Sequence, residues 1–261
     1  EQETMMDELK TGSVDLLPEI TDGDQVVAGL EMVDNGDFDA VTYARNGYGH
    51  ITFVCDNGPT QFTEVRQAVA YLLDRNEFAR TFTKGYGAVV NGAYGLAMYE
   101  YTYNKDALEQ LNSYSYSLDK AVEVLEAGGW TLDANGNQYN GTGVRYKNVD
   151  GKLMPLVLHW ASSENNSVSD LIATMLAQNP DVAKAGMQIE QTVMTFAEMY
   201  TEHYQNQKED YYNMYNLATN YTSVFDVQAT YEVGSTANQN HIADEKLASL
   251  AKEMLAVDSK D

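Results

Sequence analysis

The sequence has very little cysteine and no long apolar segment. Cys55 is the only cysteine among the 261 residues, which excludes an internal disulfide and a metal site built from several thiolates. It ends the segment 51–55, Ile-Thr-Phe-Val-Cys, whose composition is typical of a buried strand, so we interpret Cys55 as an inert core thiol rather than a nucleophile. No apolar run approaches the roughly 20 residues that a membrane helix requires.

Basic residues are also scarce. The chain has 16 Lys and Arg against 39 Asp and Glu, which gives a formal net charge of −23. Nucleic acid is therefore excluded as a partner, because its phosphates would be repelled rather than neutralised. We interpret the excess of acids as a solubilising surface. The hydrophobic content of 44% and the charged content of 21% are those of an ordinary globular protein.

Recognisable catalytic and metal-binding motifs are absent from the sequence. The histidines are isolated from one another and from Cys55, so no pair has the spacing of metal ligands. There is no G-x-S-x-G elbow, no S-x-x-K motif and no phosphate-binding glycine loop. The segment 133–137 weakly resembles a calcium loop but is better explained as a polar hairpin turn. We therefore predict no catalytic residue, no metal, no cofactor and no enzymatic activity. The histidines are His50, His159, His203 and His241.

The clearest helical pattern lies in the segment 63–73. Its apolar residues follow the i, i+3, i+4, i+7, i+8 spacing of a helix packed on a core. Thr63 is the predicted N-cap, and Asp74-x-x-Glu77 begins a second helix that ends before Gly85. We expect Arg66 and Arg75 to tie the joint between the two helices to nearby acids. The apolar stripe consists of Val65, Ala68, Val69, Leu72 and Leu73.

The remaining elements alternate between helices and strands, and the middle of the chain is rich in hairpin turns. This order predicts an α/β (α+β mixed) fold, a mixed β-sheet flanked by helices. We predict a single domain over 1–261 with a hairpin subdomain at 130–160. The expected helices are 4–11, 118–127 after Ser117, 168–178, one that begins at Thr195, and 243–256. The expected strands are 50–55, 153–160, 187–194 and 211–218, with loops at 21–49 and 85–103 and turns at 135–136, 140–141 and 150–151.

Tyrosine is unusually abundant, with 19 Tyr against 7 Phe and 2 Trp. A tyrosine combines an apolar ring with a hydroxyl, which suits a wet and partly apolar binding cleft. The cluster Tyr212, Tyr215 and Tyr221 is a candidate lining for such a cleft. The alternative, that these residues belong to the core or to the surface, remains open at this point.

A family resemblance spans most of the chain. Gly58-Pro59 followed by Val65-Arg66-Gln67-Ala68 and Asp74-Arg75 resembles the GP…VRQA…DR signature of extracellular solute-binding proteins of ABC importers, in the oligopeptide- and dipeptide-binding family. The segments Gly12–Asp15, Asp119–Trp130 and Asp244–Leu247 resemble further motifs of this family and occur in the same order. The resemblance implies one lobe of a type II periplasmic-binding-protein-like fold.

Members of that family are considerably longer than this chain. The resemblance therefore implies that 1–261 is a single solute-binding lobe, the second lobe (lobe II) of a longer parent. The implied partners are a peptide or small-molecule ligand, the ABC permease subunits and the first lobe of the same parent chain. The implied location is extracellular, lipid-anchored or periplasmic in the parent, and we expect the fragment itself to be monomeric.

The resemblance also suggests which residues form a wall of the binding cleft. They follow the strand at 211–215, where peptide-binding members often carry an acid that pairs with the ligand's α-amino group. The segment 217–224 contains no acid, so a modified peptide, an oligosaccharide or another polar solute remains open beside an ordinary peptide. A sensory or pheromone-receptor module and a secreted hydrolase are the alternative functions. The predicted ligand-binding residues are Asn216, Thr219, Asn220, Tyr221 and Thr222.

Overall fold

The computed structural model describes residues 4–207 and 211–257. The chain divides into two compact units. The first comprises Glu1–Asn46 and Arg75–Leu111, and the second comprises Gly47–Asp74 and Asn112–Asp261. The first unit is helical, whereas the second contains every strand found in the described residues. That the whole chain serves as one binding lobe stays a prediction.

The α-helices account for most of the regular structure. None of those in the described ranges has the length and the apolar composition needed to cross a bilayer. They are α1 (Met5–Lys10), α2 (Gly23–Asp34), α3 (Thr63–Leu72), α4 (Arg75–Thr83), α5 (Tyr99–Tyr103), α6 (Lys105–Leu108), α7 (Leu118–Ala127), α8 (Ser167–Ile172), α9 (Pro180–Lys184), α10 (Gln228–Tyr231) and α11 (Glu245–Ala256).

The strands form one mixed sheet and one hairpin. The four-stranded sheet has the order β1-β6-β4-β5, in which β6 is antiparallel to β1 and parallel to β4, and β4 is parallel to β5. The mixed sheet with flanking helices confirms the predicted fold class. The strands are β1 (Gly47–Phe53), β2 (Tyr146–Val149), β3 (Lys152–Pro155), β4 (Val157–Ser163), β5 (Gln188–Met194) and β6 (Met214–Asn220).

Helix α3 lies against the core with the predicted apolar face. All five residues of its stripe are buried, and α3 packs on α7. Burial of each Val or Leu of that kind contributes about 1.5–3 kcal/mol relative to an exposed position. Helix α7 begins as predicted, because the Ser117 hydroxyl accepts a hydrogen bond from the Lys120 backbone N–H at 3.1 Å.

The beginning of α3 differs from the sequence prediction. Thr63 is the first helical residue, and Phe62 occupies the N-cap position without a capping side chain. The Thr63 hydroxyl accepts instead from the Arg66 guanidinium at 2.9 Å. Arg66 also donates to the backbone carbonyls of Thr60 at 2.6 Å and of Gln61 at 3.0 Å. The predicted acid partners of Arg66 are wrong, because its donors are used by the short 3₁₀ turn that precedes the helix.

The loop predicted for 21–49 is wrong over its first half. Asp22 is the N-cap of α2, and its carboxylate accepts from the Gln25 backbone N–H at 3.0 Å. A capping aspartate and a turn aspartate use the same hydrogen bond, so the sequence Asp22-Gly23-Asp24 is compatible with either structure. Likewise, the end of the expected loop 85–103 forms α5.

The hairpin prediction holds at one of its three turns. Asp150 and Gly151 both have positive φ, 50° and 83°, and they join the antiparallel strands β2 and β3, as expected for a two-residue turn. The other two turns connect no ladder, since Leu132 makes isolated bridges to Gln138 and Tyr146. The strand expected at 153–160 is divided between β3 and β4.

Two of the predicted helices become π-helical in part. Helix α8 begins after Asn166, whose side chain accepts from the backbone N–H groups of Val168 and Ser169, and it continues as a π-helix over Ala173–Ala177. The helix expected after Thr195 is a π-helix over Glu198–Gln205, and the Thr195 hydroxyl accepts from the Glu198 N–H at 3.2 Å.

We predict that Gly47→Ala destabilises the second unit through the β1–β6 contact. A Cβ at position 47 would lie 2.0 Å from the Thr219 carbonyl oxygen and 2.8 Å from the Asn220 Cα, so the strands would have to separate at a cost of about 1–3 kcal/mol. Gly49→Ala is the matched control, since its nearest contact would be 4.0 Å away. Urea unfolding of both variants tests this, and equal midpoints would contradict it.

Candidate functional site

The candidate site lies at the edge of the sheet where β4, β5 and β6 end and β1 begins. In open α/β sheets, ligands bind outside the carboxyl ends of the parallel strands. Strand β6 extends past β4 at this edge, because Ala161 is opposite Tyr215 while β4 ends at Ser163 and β6 continues to Asn220. The segment that follows β6 is therefore brought to this edge.

Two tyrosines meet at this edge of the sheet. Tyr48 of β1 is opposite Thr219 of β6, and its hydroxyl lies 3.4 Å from that of Tyr221. The Tyr221 ring packs edge-on against Phe225, with 4.9 Å between the centroids. The pair is half-buried. We call Tyr48, Tyr221 and Phe225 the edge cluster.

Further aromatic residues cover the same face of the sheet. Tyr204, on the π-helix that follows β5, packs edge-on against Tyr215 at 5.2 Å. Tyr200 lies between Tyr204, at 5.7 Å, and Phe196, at 5.4 Å and only 10° from parallel. Phe196 is 56% exposed whereas Tyr215 is 1% exposed, so the row runs from the solvent into the core.

The structure separates the three tyrosines that the sequence groups together. Tyr215 belongs to a buried cluster with Val54, Ala161, Met194 and Met199, and Tyr212 packs against the outside of that cluster. Tyr212 also contacts His203 edge-on at 4.7 Å. Tyr221 is the member that lies at the edge of the sheet.

Four phenols of this region have a raised pKa, which favours their neutral form. Burial raises the pKa of Tyr221, and the hydrogen bond with Tyr48 and the nearby Tyr231 raise it further. Burial also raises the pKa of Tyr215, Tyr204 and Tyr231. A neutral phenol can both donate and accept a hydrogen bond, so Tyr221 presents an uncharged polar group at the edge.

Asn216 lies in the interior rather than at the edge. It is 6% exposed, and its side-chain oxygen accepts from the Trp160 indole N–H at 3.1 Å. Its side-chain nitrogen donates to the Ser169 hydroxyl at 3.0 Å. This network ties β6 to β4 and to α8. The other four predicted residues, Thr219, Asn220, Tyr221 and Thr222, lie together at the edge, and the ligand-binding role of all five stays a prediction.

Residues 4–207 and 211–257 contain no arrangement of side chains suited to a metal ion. No group of three or more His, Cys, Asp or Glu side chains there is arranged to hold a metal ion. His159 and His241 each contact a single carboxylate, that of Glu190 at 3.2 Å and that of Asp56 at 2.8 Å. Asp133 accepts from two backbone N–H groups of its own turn, as expected for a polar turn.

Sequence reasoning did not identify Tyr48, Phe225 or the row that begins with Phe196 as parts of the site. A signal was available for Tyr48, because Tyr48, His50 and Thr52 alternate along a strand and so share one face. The place of Phe196 depends on how the π-helix packs over the sheet, and no local sequence pattern predicts that packing.

Residues 1–241 match the family described as bacterial extracellular solute-binding proteins, family 5 middle. The chain therefore belongs to this family, which confirms the resemblance noted in the sequence. The family is one of binding proteins. No curated protein sequence matches the chain significantly.

Solved structures agree with this fold. Lactococcal OppA, complexed with an endogenous peptide in the closed conformation, has 18% identity and a TM-score of 0.73 over 96% of this chain and 46% of its own. NikA from Brucella suis, in complex with Fe(III)-EDTA, has 16% identity and a TM-score of 0.70 over 99% and 49%. AppA from Bacillus subtilis, in complex with a nonapeptide, has 18% identity and a TM-score of 0.69 over 92% and 48%. The chain thus spans about half the length of these proteins, and at such identities the likeness shows the fold.

We predict that Asn216→Ala lowers the free energy of unfolding by about 1–3 kcal/mol, because it leaves the buried Trp160 N–H without its acceptor. The double variant with Ser169→Ala should lose less than the sum of the single losses, since the two side chains share one network. Urea unfolding of the four proteins measures this coupling. Strict additivity would show that the network does not act as a unit.

We predict that stability falls steeply above about pH 10. Because the pKa of Tyr215 is raised in the folded state from its ordinary value of 10.0, the unfolded chain ionises first. The stabilisation is complete below pH 10 and is lost at about 1.4 kcal/mol per pH unit for each such tyrosine as the pH rises toward the folded-state pKa. Urea midpoints at pH 8 and pH 11 test this. Tyr215→Phe should reduce the pH dependence, and an unchanged dependence would contradict the assignment.

Proposed function

We propose that this chain forms one wall of the solute-binding site in the extracellular component of an ABC importer, as lobe II of a longer parent. In this role it captures an oligopeptide or a similar small polar solute and presents it to the permease subunits. The observation that carries the proposal is the edge cluster. Tyr221 and Phe225 follow β6 and Tyr48 lies at the start of β1, at the end of the sheet where ligands bind in folds of this type.

The comparisons support a small solute but leave its class to experiment. The lactococcal and Bacillus subtilis proteins were solved with peptides, whereas the Brucella protein was solved with a metal chelate. One fold therefore accommodates different solutes, and the side chains at the edge decide between them. In our proposal the candidates for these contacts are Thr219, Asn220, Tyr221 and Thr222, with Asn216 holding the strand behind them.

The wall acts by binding rather than by catalysis. A single wall leaves half of a solute in water, so affinity requires closure by the first lobe of the parent. Closure removes water from the ligand and from the edge, and each hydrogen bond across the cleft then gains strength in the drier surroundings. The isolated chain is accordingly expected to bind weakly.

The decisive experiment is native mass spectrometry of the full-length protein purified from its host. A small molecule that is retained under native conditions and released on denaturation would establish the binding role. A protein that carries no such molecule and binds none from a periplasmic or medium extract would contradict it.

We predict that Asn220→Ala combined with Thr222→Ala weakens the retention of that molecule by about tenfold, since two neutral hydrogen bonds contribute about 1–2 kcal/mol together. Asn140→Ala combined with Thr142→Ala is the matched control, because these residues have the same spacing and are exposed at a turn. Equal retention in both double variants would place the wall elsewhere.

A further inference from the structure

Helix α11 has a wider apolar face than the chain itself covers. Its apolar residues follow the i, i+3, i+4, i+7, i+8 spacing of a helix that packs on a core, yet only Ala251 is buried. Leu250 is 51% exposed, Met254 is 36% exposed, and Val257, which ends the helix, is 55% exposed. The apolar residues of this face are Leu247, Leu250, Ala251, Met254 and Leu255.

The exposed residues form a continuous row along the helix. Leu250, Met254 and Val257 are spaced by four and by three residues, so their side chains lie one above the other. Rows of this kind are the ridges through which helices pack against other elements. Helix α11 packs on α10, and that contact leaves the row exposed. We call Leu250, Met254 and Val257 the α11 ridge.

The polar side of α11 does not suit a membrane surface. Helices that lie on membranes are rich in Lys and Arg on their polar face. In α11, by contrast, Lys246 and Lys252 are balanced by Glu245 and Glu253. The net charge of −23 would also be repelled by anionic lipids.

A second copy of the chain is an equally poor occupant of the ridge. A stable interface between separate proteins buries about 800 Å² on each partner, which is far more than a row of three side chains provides. Two copies that each carry a net charge of −23 would in addition repel each other. The occupant of so small an apolar row must therefore be held close to it by other means.

We propose that the α11 ridge is covered by a segment of the longer parent protein that lies outside residues 1–261. This inference rests on the proposed function, in which the chain is lobe II of such a parent. The chain covers less than half of each solved structure described above, so a parent of that length has ample chain for this contact. A segment of the same polypeptide is present at a high effective concentration, which allows a small apolar row to hold it.

The same contact would support the candidate site. Burial and the hydrogen bond with Tyr48 raise the pKa of Tyr221, and Tyr231 of α10 raises it further, so α10 reaches the edge cluster. Because α11 packs on α10, a parent segment that fixes α11 also holds α10 beside the edge cluster.

Hydroxyl-radical footprinting of the full-length protein tests the cover. Within residues 4–207 and 211–257, Met254 is the most exposed methionine, whereas Met154 is half-buried and Met214 is fully buried. We expect Met254 to be oxidised more slowly than Met154 in the same sample, at a rate closer to that of Met214. A rate equal to that of Met154 or above it would overturn the proposal. So would protection that is lost on dilution, which indicates a second copy, or that requires lipid vesicles.

Leu250→Gln in the full-length protein provides a second measurement. It should lower the melting temperature by about 2–4 °C, because it places an amide in a covered apolar contact. Lys252→Gln is the matched control, since it introduces the same residue on the opposite, exposed side of α11 and should change the melting temperature by less than about 1 °C. Equal melting temperatures would contradict the proposal. An absence of bound solute with Met254 still protected would overturn the proposed binding function alone.

Discussion

The antiparallel pairing of β1 with β6 is the constraint on which the rest of the second unit depends. These strands are distant in sequence, and their register places Tyr48 opposite Thr219 and Thr52 opposite Tyr215. A slip of one residue would move every β1 side chain to the other face of the sheet. At the end of the ladder Gly47 lies directly over the Thr219 carbonyl, and any side chain there would push apart the two strands that meet at the candidate site.

Strand β6 has a different role on each of its faces. The face of Asn216 is joined by hydrogen bonds to Trp160 and Ser169, which fixes the strand against β4 and α8. On the opposite face, Tyr215 packs against Tyr204 of the π-helix. Further along the chain, Tyr221 follows the end of the same strand. Successive side chains of a strand point to opposite faces, so the β6 backbone positions both the buried amide network and the aromatic edge. Hydrogen bonds that fix one face of β6 therefore also fix the side chains on the other face.

Local signals predicted those parts of the fold that local physics determines. The α3 stripe, the Ser117 cap and the Asp150-Gly151 turn each depend on residues within one turn of chain, and all three are confirmed. The errors occur where one local hydrogen bond serves two structures, as at Asp22, or where tertiary packing decides. The strand order and the row from Phe196 to Tyr215 depend on contacts between distant segments, so periodicity could not have indicated them.

Charge is distributed unevenly between the sheet and the rest of this strongly acidic protein. A net charge of −23 creates a field that attracts cations over the whole molecule, and salt screens such a field within about 10 Å at 0.1 M ionic strength. In the proposed function, contacts made after closure of the cleft are screened far less than those on an open surface. Strands β1, β4 and β6 carry no formal charge, whereas Arg45, Glu164 and Asp226 lie just beyond strand ends at this edge. Discrimination by the strands themselves must therefore come from ring contacts and from hydrogen bonds that are lost when the partner is wrong, and charged contacts must come from the residues that flank them.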